Sequence, residues 1–136
     1  MKDYIKIGID KKLIDIIDDG KKILYTHQNK KYNYKDPEEQ VRASYYIELV
    51  ERYEYPPQRI NFEIPIPRRI QGDYADIVVF KDDEQKEPYI VVECKKDAIS
   101  DAEFLQAIEQ AFGNANNLNA HFISVVSGIT IKSFNL

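Results

Sequence analysis

The sequence predicts an α/β (α+β) domain in which helices flank a central mixed β-sheet. The order of elements supports this class, because a helix is followed by three strands, a second helix and a further strand. Strands joined by short links are typically antiparallel neighbours, whereas a helical crossover joins parallel strands. A chain of 136 residues suits one domain with a buried core.

The first 35 residues form a small, basic, β-rich extension to the predicted core at residues 36–136, within one domain overall. They contain nine lysines and five acidic residues. Residues 13–17 could be a short helix or a strand. Residues 22–27 and 31–35 are predicted to pair as a hairpin around a polar turn at 27–30.

Two helix starts have clear capping signals. Asp36 can act as N-cap, Pro37 fits the first helical position and Glu39 falls at the third, so a helix is predicted from there to about Tyr53. Ser100 and Glu103 form a second capping pattern, which opens a helix to about residue 119.

Each flanking segment has a recognisable periodicity. The second helix has an apolar face and a separate polar face. The apolar face comprises Phe104, Ile108, Ala111, Ala115 and Leu118, and the polar face comprises Gln106, Gln110, Asn114 and Asn117. Residues 60–66 alternate like a strand whose prolines place its end at a sheet edge, and residues 121–127 form the last predicted strand.

Composition narrows the class of protein. With 43% hydrophobic and 31% charged residues, the chain is typical of soluble globular proteins. No apolar run approaches the roughly 20 residues that span a membrane, and no signal peptide is apparent, so no membrane partner is expected. The single cysteine excludes an internal disulfide and fits a reducing cytosol, which predicts a cytoplasmic protein.

The net charge of −4 does not indicate nucleic-acid binding by itself. An acidic domain can still bind DNA where a metal offsets its site and basic residues line the rim. The N-terminal lysines could supply that rim, together with Arg52, Arg59, Arg68, Arg69 and Lys96.

Chemistry is predicted where charges interrupt two apolar strands. The runs Asp76–Phe80 and Tyr89–Lys95 are rich in Val and Ile and are joined by a polar turn. Centring a hairpin on that turn places Asp76 opposite Glu93, and Phe80 opposite Tyr89. Because side chains alternate across a strand, Glu93 and Lys95 share one face. Buried charges are costly unless they are paired or bind a metal, and oxygen ligands suit Mg²⁺.

Structural alternatives compete with this interpretation. Asp76 could cap its strand or pair with Arg68 or Arg69, and Glu93 with Lys95 could form a salt bridge on an edge strand. Cys94 alternates away from the charged face and is interpreted as a buried structural thiol. His27 and His121 have no partners at metal-ligand spacing, so no role is assigned to them.

The ordered segments resemble the PD-(D/E)xK nuclease superfamily, and more closely the N-terminal endonuclease domain of type I restriction enzyme R (HsdR) subunits. The segments that carry the resemblance are Asp36–Arg42, Tyr55–Ile60, Ala75–Val79, Pro88–Lys96 and Glu109–Ala111. The likeness covers roughly residues 20 to 130 and implies a restriction-endonuclease-like core. The chain departs from that family at two positions, with Ala75 before the aspartate and Asn114 where a tyrosine often follows Gln-x-x-x.

The resemblance also implies site roles. Asp76 and Glu93 would hold Mg²⁺ or Mn²⁺, and the Cys94 carbonyl would be a possible further ligand. Lys95 would orient or deprotonate the attacking water and stabilise phosphate charge. Glu39 would bind a metal directly or through water, although helix capping explains it about as well and Glu38 could equally be the reaching carboxylate. Gln110 would position Lys95 or the DNA backbone, although it could also be solvated helix surface.

Two functions follow. The first is a Mg²⁺-dependent endonuclease domain that hydrolyses double-stranded DNA in a type I restriction-modification system, with methyltransferase and specificity subunits as partners. The chain has no Gly-x-x-x-x-Gly-Lys-Ser/Thr motif, so ATP would be needed only if a motor domain lies outside it. The second is a catalytically weak or inactive DNA-binding or assembly module with the same fold, which the acidic balance and Asn114 favour.

Overall fold

A computed structural model describes residues 2–67 and 73–136 of the chain. Three α-helices, eight strands and a 3-10 turn at Pro57–Arg59 lie within these ranges. The helices are α1 (Tyr4–Asp10), α2 (Pro37–Glu51) and α3 (Asp101–Leu118). The strands are β1 (Ile14–Ile17), β2 (Lys22–Tyr25), β3 (Lys30–Asn33), β4 (Ile60–Pro65), β5 (Tyr74–Phe80), β6 (Pro88–Lys95), β7 (Phe122–Ser127) and β8 (Thr130–Asn135).

The central sheet has five strands in the order β4-β5-β6-β7-β8. The β6–β7 pair, which α3 connects, is parallel, and the other three pairs are antiparallel. This arrangement confirms the predicted mixed sheet flanked by helices. Strand β8 was not predicted, because its mostly exposed edge sequence lacks a continuous apolar face.

The β5–β6 hairpin has the predicted register over most of its length. Ile77 pairs with Val92, and the next two pairs keep the same offset. The predicted pairing of Phe80 with Tyr89 is wrong, since a bulge after Val79 places Phe80 opposite Pro88. The turn explains the shift, because its Asp82 carboxylate accepts backbone N–H groups from the residues that lead into β6.

Both predicted helices form and are capped by the expected residues. The Asp36 side chain accepts the N–H of Glu38, and Ser100 with Glu103 completes a reciprocal capping box. Helix α3 ends at Leu118, and its C-cap residue Asn119 adopts a left-handed conformation with φ 57°. Helix α2 ends two residues before the predicted Tyr53, and α1 was not predicted.

The N-terminal hairpin is confirmed as strands β2 and β3, and residues 14–17 form strand β1 rather than a helix. Ile23 and Tyr25 are fully buried in a core cluster that also includes side chains of α2 and β4. Two side chains of this region, Gln28 and Lys30, donate to backbone carbonyls of β4. The first 35 residues therefore pack on the central sheet, while the domain division at residue 36 stays a prediction.

The central sheet carries a core on each of its faces. One cluster contains α2 side chains with Ile77 and Val92, and the other contains α3 side chains with Val78 and Val91. This alternation along β5 and β6 is the period of two expected for strands covered on both faces. Within the described ranges, no helix is both long and apolar enough to cross a bilayer.

Alkaline pH should destabilise the protein through its buried tyrosines. Burial raises the pKa of Tyr45 and of Tyr46 to about 12. Between the ordinary value near 10 and that value, the unfolded chain loses protons that the folded chain keeps. The free energy of unfolding should therefore fall with rising pH, by about 1.4 kcal/mol per pH unit for each group.

Urea denaturation at intervals from neutral pH upward measures this slope. The Tyr46→Phe variant should show a shallower fall, and Tyr53→Phe, which alters a half-exposed ring, should match the wild type. Equal slopes for Tyr46→Phe and the wild type would contradict the attribution of this pH dependence to the raised pKa of Tyr46.

Candidate active site

Glu93 is a buried acid on an interior strand. Its relative exposure is 2%, and its strand, β6, is paired on both sides. Its carboxylate accepts a 2.8 Å hydrogen bond from the Asn114 side-chain amide of α3. Burial, followed by the charge of Asp76, raises the pKa of Glu93 well above its ordinary value. A carboxylate in this position favours either a proton or a cation.

Asp76 lies at the point where the β5–β6 ladder ends. Ile77 pairs with Val92 in the observed register. Asp76 precedes Ile77 and Glu93 follows Val92, so the same antiparallel register places the two acids opposite each other. The Asp76 carboxylate accepts the backbone N–H of Cys94 at 2.8 Å. In this position the negative charge of Asp76 contributes to the raised pKa of Glu93.

One structural alternative predicted from the sequence does not hold, and another is not tested. The Glu93–Lys95 salt bridge on an edge strand is wrong, because β6 lies inside the sheet and the ion pairs among described residues do not include it. Pairing of Asp76 with Arg68 or Arg69 falls on residues outside the described ranges. Cys94 is a free, buried thiol whose pKa burial raises well above the usual value, as expected for a structural residue.

Asp76 opens onto a small acidic recess of about 120 Å³ between α2 and the sheet. Its lining residues are Asp36, Glu38, Glu39, Arg42, Glu63, Asp76 and Cys94. Glu63 adopts a left-handed backbone conformation with φ 51°, which is uncommon for a residue with a side chain. Its Oε1 atom lies 3.7 Å from Arg42 Nη2. No pattern in the sequence predicted that Glu63 lines the recess.

Glu39 lines this recess, and both of its carboxylate oxygens have partners. One oxygen accepts hydrogen bonds from the Tyr25 hydroxyl at 2.6 Å and from Arg42 Nε at 3.1 Å, and the other accepts from Arg42 Nη2. The carboxylate therefore pairs with side chains rather than capping α2, where Asp36 bonds to Glu38 instead. Metal binding by Glu39 stays a prediction.

Arg42, like Glu63, lies on this side of the site and was not predicted from the sequence. It is 4% exposed, pairs with Glu39, and donates to the backbone carbonyl of Asp76 at 3.3 Å. Its guanidinium group also stacks 4.3 Å from the Tyr32 ring centroid. Burial opposes its charge, but the bonds and charge of Glu39 outweigh burial and raise the pKa of Arg42. The Glu39–Arg42 spacing of three on a helix was the available signal.

Lys95 and Gln110 line a neighbouring polar groove of about 170 Å³. The exposed Gln110 comes from α3, and Lys95 attracts both Glu93 and Glu38. Glu38 lines both the groove and the acidic recess. Desolvation raises the pKa of Glu38, with Lys95 lowering it and Asp76 raising it. Glu38 is thus the α2 carboxylate that lies between Asp76 and Lys95.

Asn114, from the predicted polar face of α3, is buried. It is 1% exposed, and its side-chain oxygen has no hydrogen-bond partner among the described residues. Asn114 is close in sequence to the core positions Ala111 and Ala115 of α3. Its side-chain amide points toward β6 and donates a hydrogen bond to Glu93. A buried glutamate needs a donor, and this requirement was the signal that could have identified the contact.

The donor chemistry at Asp76 and Glu93 fits a hard cation. Mg²⁺ typically uses one or two carboxylates and fills its other positions with waters and substrate oxygens. Among residues 2–67 and 73–136, no cluster of three or more His, Cys, Asp or Glu side chains could hold a metal by itself. The described side chains therefore do not form a complete metal cage, although two carboxylates are placed opposite each other.

No metal-binding role was predicted for the histidines. In the structure, His121 Nε2 lies 2.8 Å from Lys81 Nζ.

Replacing Glu93 tests whether its carboxylate is retained at a cost to stability. Glu93→Gln removes the repulsion with Asp76 and keeps an oxygen for Asn114. We expect it to increase the free energy of unfolding at neutral pH in EDTA by about 1–3 kcal/mol. Glu109→Gln, which removes an exposed α3 charge, is the matched control and should change it little. A Glu93→Gln protein less stable than the wild type in urea denaturation would contradict this prediction.

Comparison with known proteins identifies the family. Residues 37–136 match the family model described as type I restriction enzyme R protein N terminus. Searches of curated proteins and of solved structures gave no significant match. The matched region contains α2, the whole central sheet and α3, and therefore every acid that lines the recess except Asp36. Since the match covers well over half of the chain, the protein belongs to the family of type I restriction enzyme R protein N-terminal regions.

Proposed function

We propose that this domain is a Mg²⁺- or Mn²⁺-dependent endonuclease that hydrolyses phosphodiester bonds of double-stranded DNA in a type I restriction-modification system. The placement of Asp76 opposite the buried Glu93 on neighbouring strands carries the proposal. Two acids held together with one of them buried are costly in a structural sheet. A divalent cation at this point would offset that cost and supply the charge that phosphate requires.

The residues would divide the chemistry as follows. Asp76 and Glu93 would hold the cation, which when bound acts as a Lewis acid and makes a water easier to deprotonate. Lys95 would orient that water and stabilise the negative charge on the phosphate in the transition state. Gln110, in the same groove as Lys95, would contact the DNA backbone.

Other side chains would support these groups. Asn114 would fix the Glu93 carboxylate through its hydrogen bond, because outer partners of metal ligands set ligand orientation. Glu38 would be the α2 carboxylate nearest the reacting groups, since it lines both the recess and the groove. Glu39 would act through Arg42 rather than as a direct ligand, because both of its oxygens are bonded.

Family membership supports the wider setting. The domain would act in the cytoplasm with methyltransferase and specificity subunits, and those partners would select the DNA site. ATP would be used only by a motor domain outside this chain. Activity of the isolated domain would accordingly be weak.

The second candidate is a non-catalytic DNA-binding or assembly module. The saturated Glu39 carboxylate favours it, because one potential metal ligand is already committed to an internal ion pair. This second candidate gives no reason for placing Asp76 opposite the buried Glu93.

Metal titration separates the two candidates. We expect millimolar Mg²⁺ or Mn²⁺ to bind by calorimetry and to raise the melting temperature, and Asp76→Ala to abolish both effects. Binding confined to the wild type supports the catalytic candidate. An unchanged titration in Asp76→Ala, or no binding by the wild type, favours the non-catalytic module.

Cleavage assays test Lys95. Lys95→Ala should reduce metal-dependent nicking of supercoiled DNA by about 10²- to 10⁴-fold without changing the fold. Lys96→Ala removes the adjacent exposed lysine and should leave most of the activity. Nicking that survives in Lys95→Ala would place the reacting groups elsewhere.

A further inference from the structure

The N-terminal sheet contacts the candidate site, although residues 1–36 precede the family match. We infer that Tyr25 and Arg42 are positioning residues, through which this sheet sets the placement of Asp76 and hence the affinity of the metal site. The effect on metal affinity rests on the proposed function. The effect on the placement of Asp76 does not depend on a metal and concerns only the hydrogen bonds of that residue.

The first contact joins β2 to α2. Tyr25 is fully buried, and its hydroxyl donates a 2.6 Å hydrogen bond to Glu39. Burial and the adjacent Glu39 charge raise the pKa of Tyr25 well above the ordinary value, so the hydroxyl keeps its proton and remains a donor. This hydrogen bond holds one Glu39 oxygen from the side of the N-terminal sheet.

The second contact fixes Arg42. The Glu39 carboxylate accepts hydrogen bonds from two nitrogens of the guanidinium group. The ring centroids of Tyr32 and Phe62 lie 4.3 and 5.4 Å from Arg42 Cζ. A planar group held by a two-point bond and by aromatic rings has one favourable orientation. The ring of Tyr32 comes from β3, so two strands of the N-terminal sheet contribute to this orientation.

The third contact reaches the site. The oriented Arg42 donates to the backbone carbonyl of Asp76, and the Asp76 carboxylate in turn accepts the N–H of Cys94. The described ion pairs of Arg42 are with Glu39 and Glu63. Its positive charge is therefore taken by those acids, and the Asp76 carboxylate remains available to a cation. Loosening Glu39 would free Arg42 to compete for Asp76.

Tyr25→Phe tests this inference without altering any proposed metal ligand. Calorimetric titration of the full chain with Mn²⁺ should show affinity about tenfold weaker, as for loss of an outer partner of a metal site. Hydrogen exchange of the Cys94 amide, followed by NMR without metal, should be about fivefold faster, which corresponds to weakening of one hydrogen bond. Tyr46→Phe is the matched control, because Tyr46 lies in the same buried aromatic cluster but its hydroxyl contacts Gln28.

The two readouts distinguish the possible failures. A purely structural role for Tyr25 predicts a lower melting temperature with Mn²⁺ affinity and Cys94 exchange equal to those of Tyr46→Phe, and this result overturns the inference. If the wild type binds no Mn²⁺, the proposed function fails, and the Cys94 exchange rates alone support or overturn the positional contact.

Arg42→Met, compared with Arg52→Met, provides a second test. Both substitutions remove an arginine that pairs with a glutamate of α2, but the described side-chain hydrogen bond of Arg52 is to Glu48 and not to Asp76, and the Arg52 side chain is mostly exposed. We expect faster Cys94 exchange in Arg42→Met and wild-type exchange in Arg52→Met. Equal rates in the two variants would overturn the role of Arg42.

Discussion

The placement of the Asp76 and Glu93 carboxyl groups opposite each other on neighbouring strands is the constraint on which the rest of the site depends. Antiparallel register makes it unavoidable, because residues opposite each other on neighbouring strands bring their side chains close together on one face. Like charges in that position destabilise a sheet. The fold meets this cost with hydrogen bonds from Asn114 and from the Cys94 N–H, and with the longer-range charge of Lys95. None of these supplies a full opposite charge at short range.

The partners of Arg42 illustrate how the charges around these acids are distributed. Arg42 is near Asp76, yet its side chain is paired with Glu39 and only bonds to the Asp76 backbone. A buried ion pair of this geometry is strong because both Glu39 oxygens and two arginine nitrogens are used. The consequence is an Asp76 carboxylate that is held in place by a neutral backbone donor. For the proposed metal site, a ligand must be fixed and still be free to bind, and this arrangement would meet both conditions.

Sequence patterns predicted the parts of the fold that local physics determines. The caps at Asp36 and Ser100 follow from side chains that bond nearby N–H groups, and the Asp76–Glu93 juxtaposition follows from counting along a hairpin. The pairing of Phe80 could not be predicted, because the conformation of the Asp82 turn inserts a bulge. The Arg42 and Asn114 contacts were also missed, because each depends on which distant strand a helix packs against.

The two overlooked contacts show how three layers of the fold converge on one pair of acids. Helix α3 reaches Glu93 through Asn114, and helix α2 reaches Asp76 through Arg42. The N-terminal sheet reaches α2 through Tyr25, so a segment outside the family match contributes to the internal order of the matched region. Because Tyr25 donates to the same Glu39 oxygen as Arg42 Nε, a shift of the N-terminal sheet would change the arginine and, through it, the Asp76 backbone. The environment of the acids is therefore set by the whole domain rather than by the strands that carry them.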